Sequence, residues 1–216
     1  MKAFRTFAAA AGLSITLIAG AALAQDAAAT QPPAGRYYMD KSHTSLVFRV
    51  SHLGLSNYTA SFSRVDGQLE FDPKNPAAMR VEATIDPTSL TLNAPPAGFH
   101  DQMMGKDWFN AAQFPKITFR STKVEPTGEN TAKVTGELTL HGVTAPVVLD
   151  VTYNGGYPPN NFDPGGARVG FSARGVVKRS AFGMATGVPA PGTKMGVSDA
   201  VEVAIETEFS SKPSAP

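Results

Sequence analysis

A chain of 216 residues with 19 basic and 18 acidic side chains is long enough for one sizeable core and carries no net field that would draw it to nucleic acid. The absence of cysteine excludes a disulfide framework, a thiol nucleophile and a thiolate metal site together, so stability has to come from burial.

In chain order, Lys2 and Arg5 precede an apolar run from Phe7 to Leu23 that closes on Ala22-Leu23-Ala24. That is the small-x-small pattern of a signal-peptidase site, and it predicts export to the periplasm with cleavage after Ala24. Without Lys2 and Arg5 the 19 basic side chains become 17 against 18 acidic, close to neutrality. No other run of membrane-spanning length follows, so a soluble protein of the exported space is expected. Residues 25–35, QDAAATQPPAG, lack periodicity and read as a flexible leader. The domain is expected over 36–210, with a short tail at 211–216.

Residues 43–73 read as a hairpin. In its first strand Leu46, Phe48 and Val50 share one face, with His52 on the same parity, and the connection runs through Leu53-Gly54-Leu55-Ser56-Asn57. The second strand carries Phe62, then Val65, Leu69 and Phe71; the change of parity predicts a bulge near Ser63-Arg64. Met79, Val81, Ala83 and Ile85 alternate with polar residues as a third strand. The one segment without alternation is Phe99 to Asn110, where Phe99, Met103, Met104, Trp108 and Phe109 fall at roughly helical offsets and Gly105 and Pro115 exclude a long helix. A short helix or helical loop is predicted over 99–110.

Strands resume at Lys116. The apolar rows are Ile117 and Phe119; Val134, Leu138 and Leu140; Val147, Leu149, Val151 and Tyr153; Val169, Phe171, Ala173 and Val177; and Val201, Val203, Ile205 and Phe209. Turn clusters separate them. About eight antiparallel strands, each with one apolar face, suit a sheet closed into an all-β barrel of eight or slightly more strands. Such a barrel either fills with side chains or holds one small ligand. Inward Ala83, Gly136, Ala173 and Gly175 either leave a void or accommodate taper.

Within that frame Met103, Met104, Trp108 and Phe109 either form a lid or plug the barrel end as core. His52 is either a hydrogen-bonded core histidine or a polar contact to a ligand headgroup. Histidines 43, 52, 100 and 141 show no metal-ligand spacing, so no metal site is expected. Arg179 shares the inner parity of its strand, and its planar fork suits a phosphate headgroup. No nucleophile elbow, phosphate loop or dinucleotide fingerprint is present, which argues against an enzyme.

Several stretches in order carry a family resemblance. HTSLVFRVSHLGLSNYTASFSRVDGQLEFDP, DWFNAAQFPKITFRST, GELTLHGVTAPVVLDV and the segments around Arg179, Phe182-Gly183 and Val197-Ser198-Asp199 together resemble the YceI-like proteins from about Tyr37 to Phe209. The chain departs from that pattern at Ala60-Ser61 and Gln102-Met103. The resemblance implies a lipocalin-like barrel of the bacterial periplasm that binds a polyisoprenoid or similar long apolar molecule, with no catalytic chemistry and no cofactor beyond a bound isoprenoid lipid or quinone. It also suggests that Asp199 pairs with Arg179. The residues expected to meet the ligand are Leu46, Phe48, Val50, His52, Phe62, Leu69, Phe71, Met103, Met104, Trp108, Phe109, Phe119, Phe171 and Arg179. Alternative readings are an envelope stress or interaction protein working with a quinone-handling membrane partner, and a hydrolase of lipid-linked substrates. Pairing of two barrels as a homodimer stays open.

Overall fold

A computed structural model describes residues 31–213. The expected signal segment and most of the expected leader lie outside the described residues. Ten strands form one antiparallel sheet: β1 (Gly35–His52), β2 (Ser56–Phe62), β3 (Val65–Phe71), β4 (Arg80–Ile85), β5 (Leu90–Thr91), β6 (Ile117–Gly128), β7 (Thr131–Leu140), β8 (Val143–Tyr157), β9 (Arg168–Lys178) and β10 (Val197–Ser210). Among the described residues one α-helix, α1 (Phe99–Met104), interrupts them inside the predicted segment. The order β10-β9-β8-β7-β6-β4-β3-β1 closes through pairing of β1 with β10, making an eight-stranded barrel to which β2 and β5 are added beside β1.

Two irregularities shape the wall. Between Asp40 and Ser45 the pairing of β1 with β10 shifts, so residues 41–44 bulge out and the inward parity changes from Tyr37 and Met39 to Leu46, Phe48 and Val50. The bulge predicted at Ser63-Arg64 is a full break between β2 and β3. Ser89 fills it, its carbonyl accepting from Ser63 N–H at 3.2 Å and its hydroxyl oxygen from Arg64 N–H at 3.0 Å.

The two ends of the barrel are built differently. At the end where β1 begins, Tyr37, Phe71, Tyr153, Phe171 and Phe209 stack in sequence with ring centroids 5.4, 5.9, 5.3 and 6.3 Å apart. Tyr37 is fully buried, its hydroxyl pushed up to about 12 by burial and by nearby Tyr153. A buried phenol needs a partner, and Tyr37 donates to Pro33 O at 2.7 Å. This corrects the expected flexible leader for its last residues: Pro32 is buried at this end, against the flat surface left by Gly156. At the C-terminus Ser211 and Lys212 are likewise tied down, donating to Ala167 O and Gly165 O.

The inward small residues are not voids at two of the four positions. A Cβ on Gly136 would lie 2.3 Å from the Phe119 ring, and one on Gly175 would lie 2.7 Å from Leu149. These glycines receive large neighbours across the barrel wall.

Candidate functional site

At the opposite end the aromatic packing gives way to a cavity of about 220 Å³. Every strand except β5 contributes an apolar side chain to its wall, from Met39 on β1 to Ile205 on β10. The segment after β5 supplies Met103, Trp108 and Phe109, and the β9–β10 loop supplies Arg179 and Met184. Phe109 packs edge-on against Phe62 at 5.6 Å, and Phe48 leans on the same ring at 5.6 Å.

Arg179 is the one charged residue of this wall. It is 5% exposed, and burial lowers its pKa. Its Nε donates to Ser198 O at 2.9 Å, one terminal nitrogen to Met184 O at 3.0 Å and Thr186 O at 2.7 Å, and the other to Val197 O at 2.6 Å. The Trp108 ring lies 5.4 Å from its guanidinium carbon. These bonds use four of five N–H donors. Arg179 therefore clasps the β9–β10 loop over the cavity while presenting cationic character to it. The expected pairing with Asp199 is absent: that carboxylate accepts instead from Ser180 N–H at 2.8 Å and Ser180 O–H at 2.9 Å.

Of the expected ligand residues, Leu46, Phe48, Val50, Phe62, Met103, Trp108, Phe109, Phe119 and Arg179 meet at the cavity. Leu69, Phe71 and Phe171 belong to the core nearer the other end, with Phe71 and Phe171 in the aromatic stack, and Met104 packs against the core without reaching the cavity wall. His52 is exposed. Its inward parity is cancelled because the β1–β10 pairing shifts again between Val50 and His52 at the strand end. Sequence reasoning missed Met39, hidden by the parity change at 41–44, and Met184, which lies in a loop with no periodicity.

His141 sits in the tight β7–β8 turn with φ of 52°. One ring nitrogen lies 3.1 Å from Phe182 O and the other 3.1 Å from Lys106 O, linking the two covering segments. Away from the cavity, Asp40, His43 and Glu208 bring ligand atoms within 4.8 Å of one another. Arg168 already donates to both carboxylates and to Asp163, so a protein cation occupies the ground a metal would take.

Among the described residues no helix is long and apolar enough to cross a membrane. A family model described as the YceI-like domain matches residues 37–209. The chain is 38% identical over 159 residues to a UPF0312 protein of Pseudomonas savastanoi, covering 72% of this chain and 80% of the relative. It is 38% identical over 176 residues to the protein YceI of Escherichia coli, covering 80% and 83%. Among solved structures it resembles Burkholderia cenocepacia BcnA, with a TM-score of 0.64 and 29% identity over 79% of this chain and 98% of that one. A polyisoprenoid-binding domain from Saccharophagus degradans shares the fold at a TM-score of 0.57 and 16% identity, covering 81% and 97%. With the matched region spanning the whole barrel, the chain belongs to the YceI-like domain family.

Proposed function

We propose that the protein binds a long apolar isoprenoid, of the polyprenyl phosphate or quinone type, in the barrel cavity, and carries or sequesters it in the periplasm. The observation that carries this reading is a cavity whose wall is apolar on all sides except for one buried guanidinium. Each isoprene unit buried there contributes about 3 to 4 kcal/mol before ordering costs, so a few units suffice for tight binding. The fifth N–H of Arg179 supplies a donor for a headgroup oxygen, which favours a molecule with an apolar tail and one oxygen-bearing end. The description of the Saccharophagus degradans domain as polyisoprenoid-binding supports the same ligand class on the same fold.

The direct test is solvent extraction of protein purified from its native envelope, followed by mass spectrometry, with titration of a fluorescent prenyl alcohol alongside. Recovery of a prenyl lipid or quinone is expected. Ala83, on the cavity wall beside its cross-strand partner Phe119, gives the control: Ala83→Phe should fill the cavity and abolish uptake without lowering the melting temperature. A wild-type protein that yields no lipid and takes up no prenyl probe would end this reading.

A further inference from the structure

We infer that the loops at the cavity end form a docking surface for a lipid bilayer, through which the bound molecule passes between bilayer and cavity. This rests on the reading that the cavity holds a membrane lipid.

The loop tips at this end are apolar and exposed. Leu55, in the β1–β2 turn, is 84% exposed, and Met195, at the end of the β9–β10 loop, is 75% exposed. The two segments touch: Leu53 N–H donates to Gly196 O at 2.8 Å, and Gly54 lies against the aliphatic stem of Lys194. They stand directly over the cavity, because Val50 and Val197 of its wall lie within three residues of Leu53 and Gly196 in the chain. Across 53–56, 92–98 and 183–196 the single formally charged side chain is Lys194. The 92–98 stretch belongs to the same rim, since Tyr58 next to the β1–β2 turn donates to Asn93 O. The neighbouring α1 segment adds Asp101, Lys106 and Asp107, with His100, and so brings no strong field of either sign.

Exposed aliphatic side chains beside one lysine fit the boundary between acyl chains and headgroup phosphates. A protein interface would be centred on aromatic or arginine anchors, and of the residue types such interfaces favour these tips offer only Met195. Among the described residues the most exposed large apolar side chain, Phe162 at 97%, lies at the closed end in a loop held by Asp163 and Arg168, where no cavity opens. With the tips seated in the headgroup layer, a prenyl chain moves from bilayer to cavity without crossing bulk water.

The test uses the full mature chain, vesicles of phosphatidylcholine with or without phosphatidylglycerol, and the variants Leu55→Asp with Met195→Asp, Lys194→Glu and, as a control, Phe162→Asp. Wild type and the Phe162 variant should float with phosphatidylglycerol vesicles that contain no isoprenoid. The double aspartate variant should lose at least tenfold in binding, and Lys194→Glu should lose affinity for the anionic vesicles alone. Binding of farnesol from water should be unchanged in the double variant, which also shows that it is folded, while transfer of a labelled prenyl alcohol out of vesicles slows at least tenfold. Wild-type protein that does not float, a double variant that floats as well as wild type, or a cross-linker at position 55 that captures a protein in place of lipid would each overturn the proposal. Flotation without farnesol uptake would instead overturn the cavity reading and leave the docking surface standing.

Discussion

Gly136 shows how a single missing side chain sets the interior. The Phe119 ring occupies the space its Cβ would take, and the carbonyl of Arg120 lies 2.7 Å from the same point. Gly136→Ala must displace that ring or the backbone, so it should destabilise the protein by about 1–3 kcal/mol. Adding Phe119→Leu should recover part of the loss, and denaturant melts of the single and double variants would check it; additive losses would show that the ring is not the obstacle. Charged residues at the bulge set the pH dependence. Burial alone would raise the Asp40 carboxyl, but hydrogen bonds from Ser42, Arg168 and His43 outweigh it and hold the group well below the usual carboxylate range. Hydrogen bonds from Arg168, Tyr157 and Gly165 do the same for Asp163. Carboxyls lowered in this way contribute stability above their unfolded value of about 3.9 and lose it as pH falls through the folded value, so the melting temperature should decline steadily below about pH 4. His43 runs the other way. Its bond to Asp40 raises it, so its contribution is fully present below about pH 6.5 and is lost as pH rises through the raised value. The melting-temperature difference between wild type and His43→Gln should therefore be larger at pH 5.5 than at pH 9, and a difference equal at both pH values would refute the assignment. None of this was readable from the sequence: Asp40 and Arg168 are 128 residues apart and meet only through the β1–β10–β9 pairing.

At the level of elements, alternation revealed the strands because each has one wet face, and it placed most of the cavity wall on β1, β2 and β6 correctly in kind. It could not separate the hollow end from the packed end. Phe48 and Phe171 carry the same pattern, and only the register of each strand decides that one faces the cavity and the other the aromatic stack. Irregular pairing also defeats parity, as at Met39 and His52. The covering segments were still less legible, since their positions depend on a few side-chain bonds. His141 stands between two of these segments, with one ring nitrogen 3.1 Å from Phe182 O in the β9–β10 loop and the other 3.1 Å from Lys106 O after α1, and a neutral imidazole donates to one of these carbonyls at a time. His141→Asn keeps a residue that tolerates the left-handed backbone but shortens its reach. Losing this bridge should cost about 1 kcal/mol and should speed amide hydrogen exchange in 106–114 and 183–196 together, with the barrel strands unchanged. Faster exchange in one segment alone would show that His141 does not couple them.

The whole molecule combines a plugged barrel end with a hollow one, and the plug sets a limit on the ligand. The aromatic stack from Tyr37 to Phe209 closes the floor, so a chain entering from the loop end can extend only as far as the cavity allows. At about 220 Å³ the cavity is smaller than the roughly 300–1,000 Å³ typical of pockets that enclose a drug-sized ligand, so it holds part of a long prenyl chain and the remainder lies towards the rim. Each unit inside the wall gains the full hydrophobic transfer, whereas each unit outside gains little. Affinity across a series of prenyl alcohols should therefore climb steeply over the first few isoprene units and then level off, as calorimetry on chains of increasing length would show. Shortening the plug changes the limit in a defined direction. Phe171→Ala opens space beneath the cavity, at a cost of about 3–5 kcal/mol of stability, and should move the plateau to a longer chain. A steady gain per unit in wild type through the longest chains would mean that the floor yields on binding, and an unchanged plateau in Phe171→Ala would mean that the aromatic stack does not set the depth.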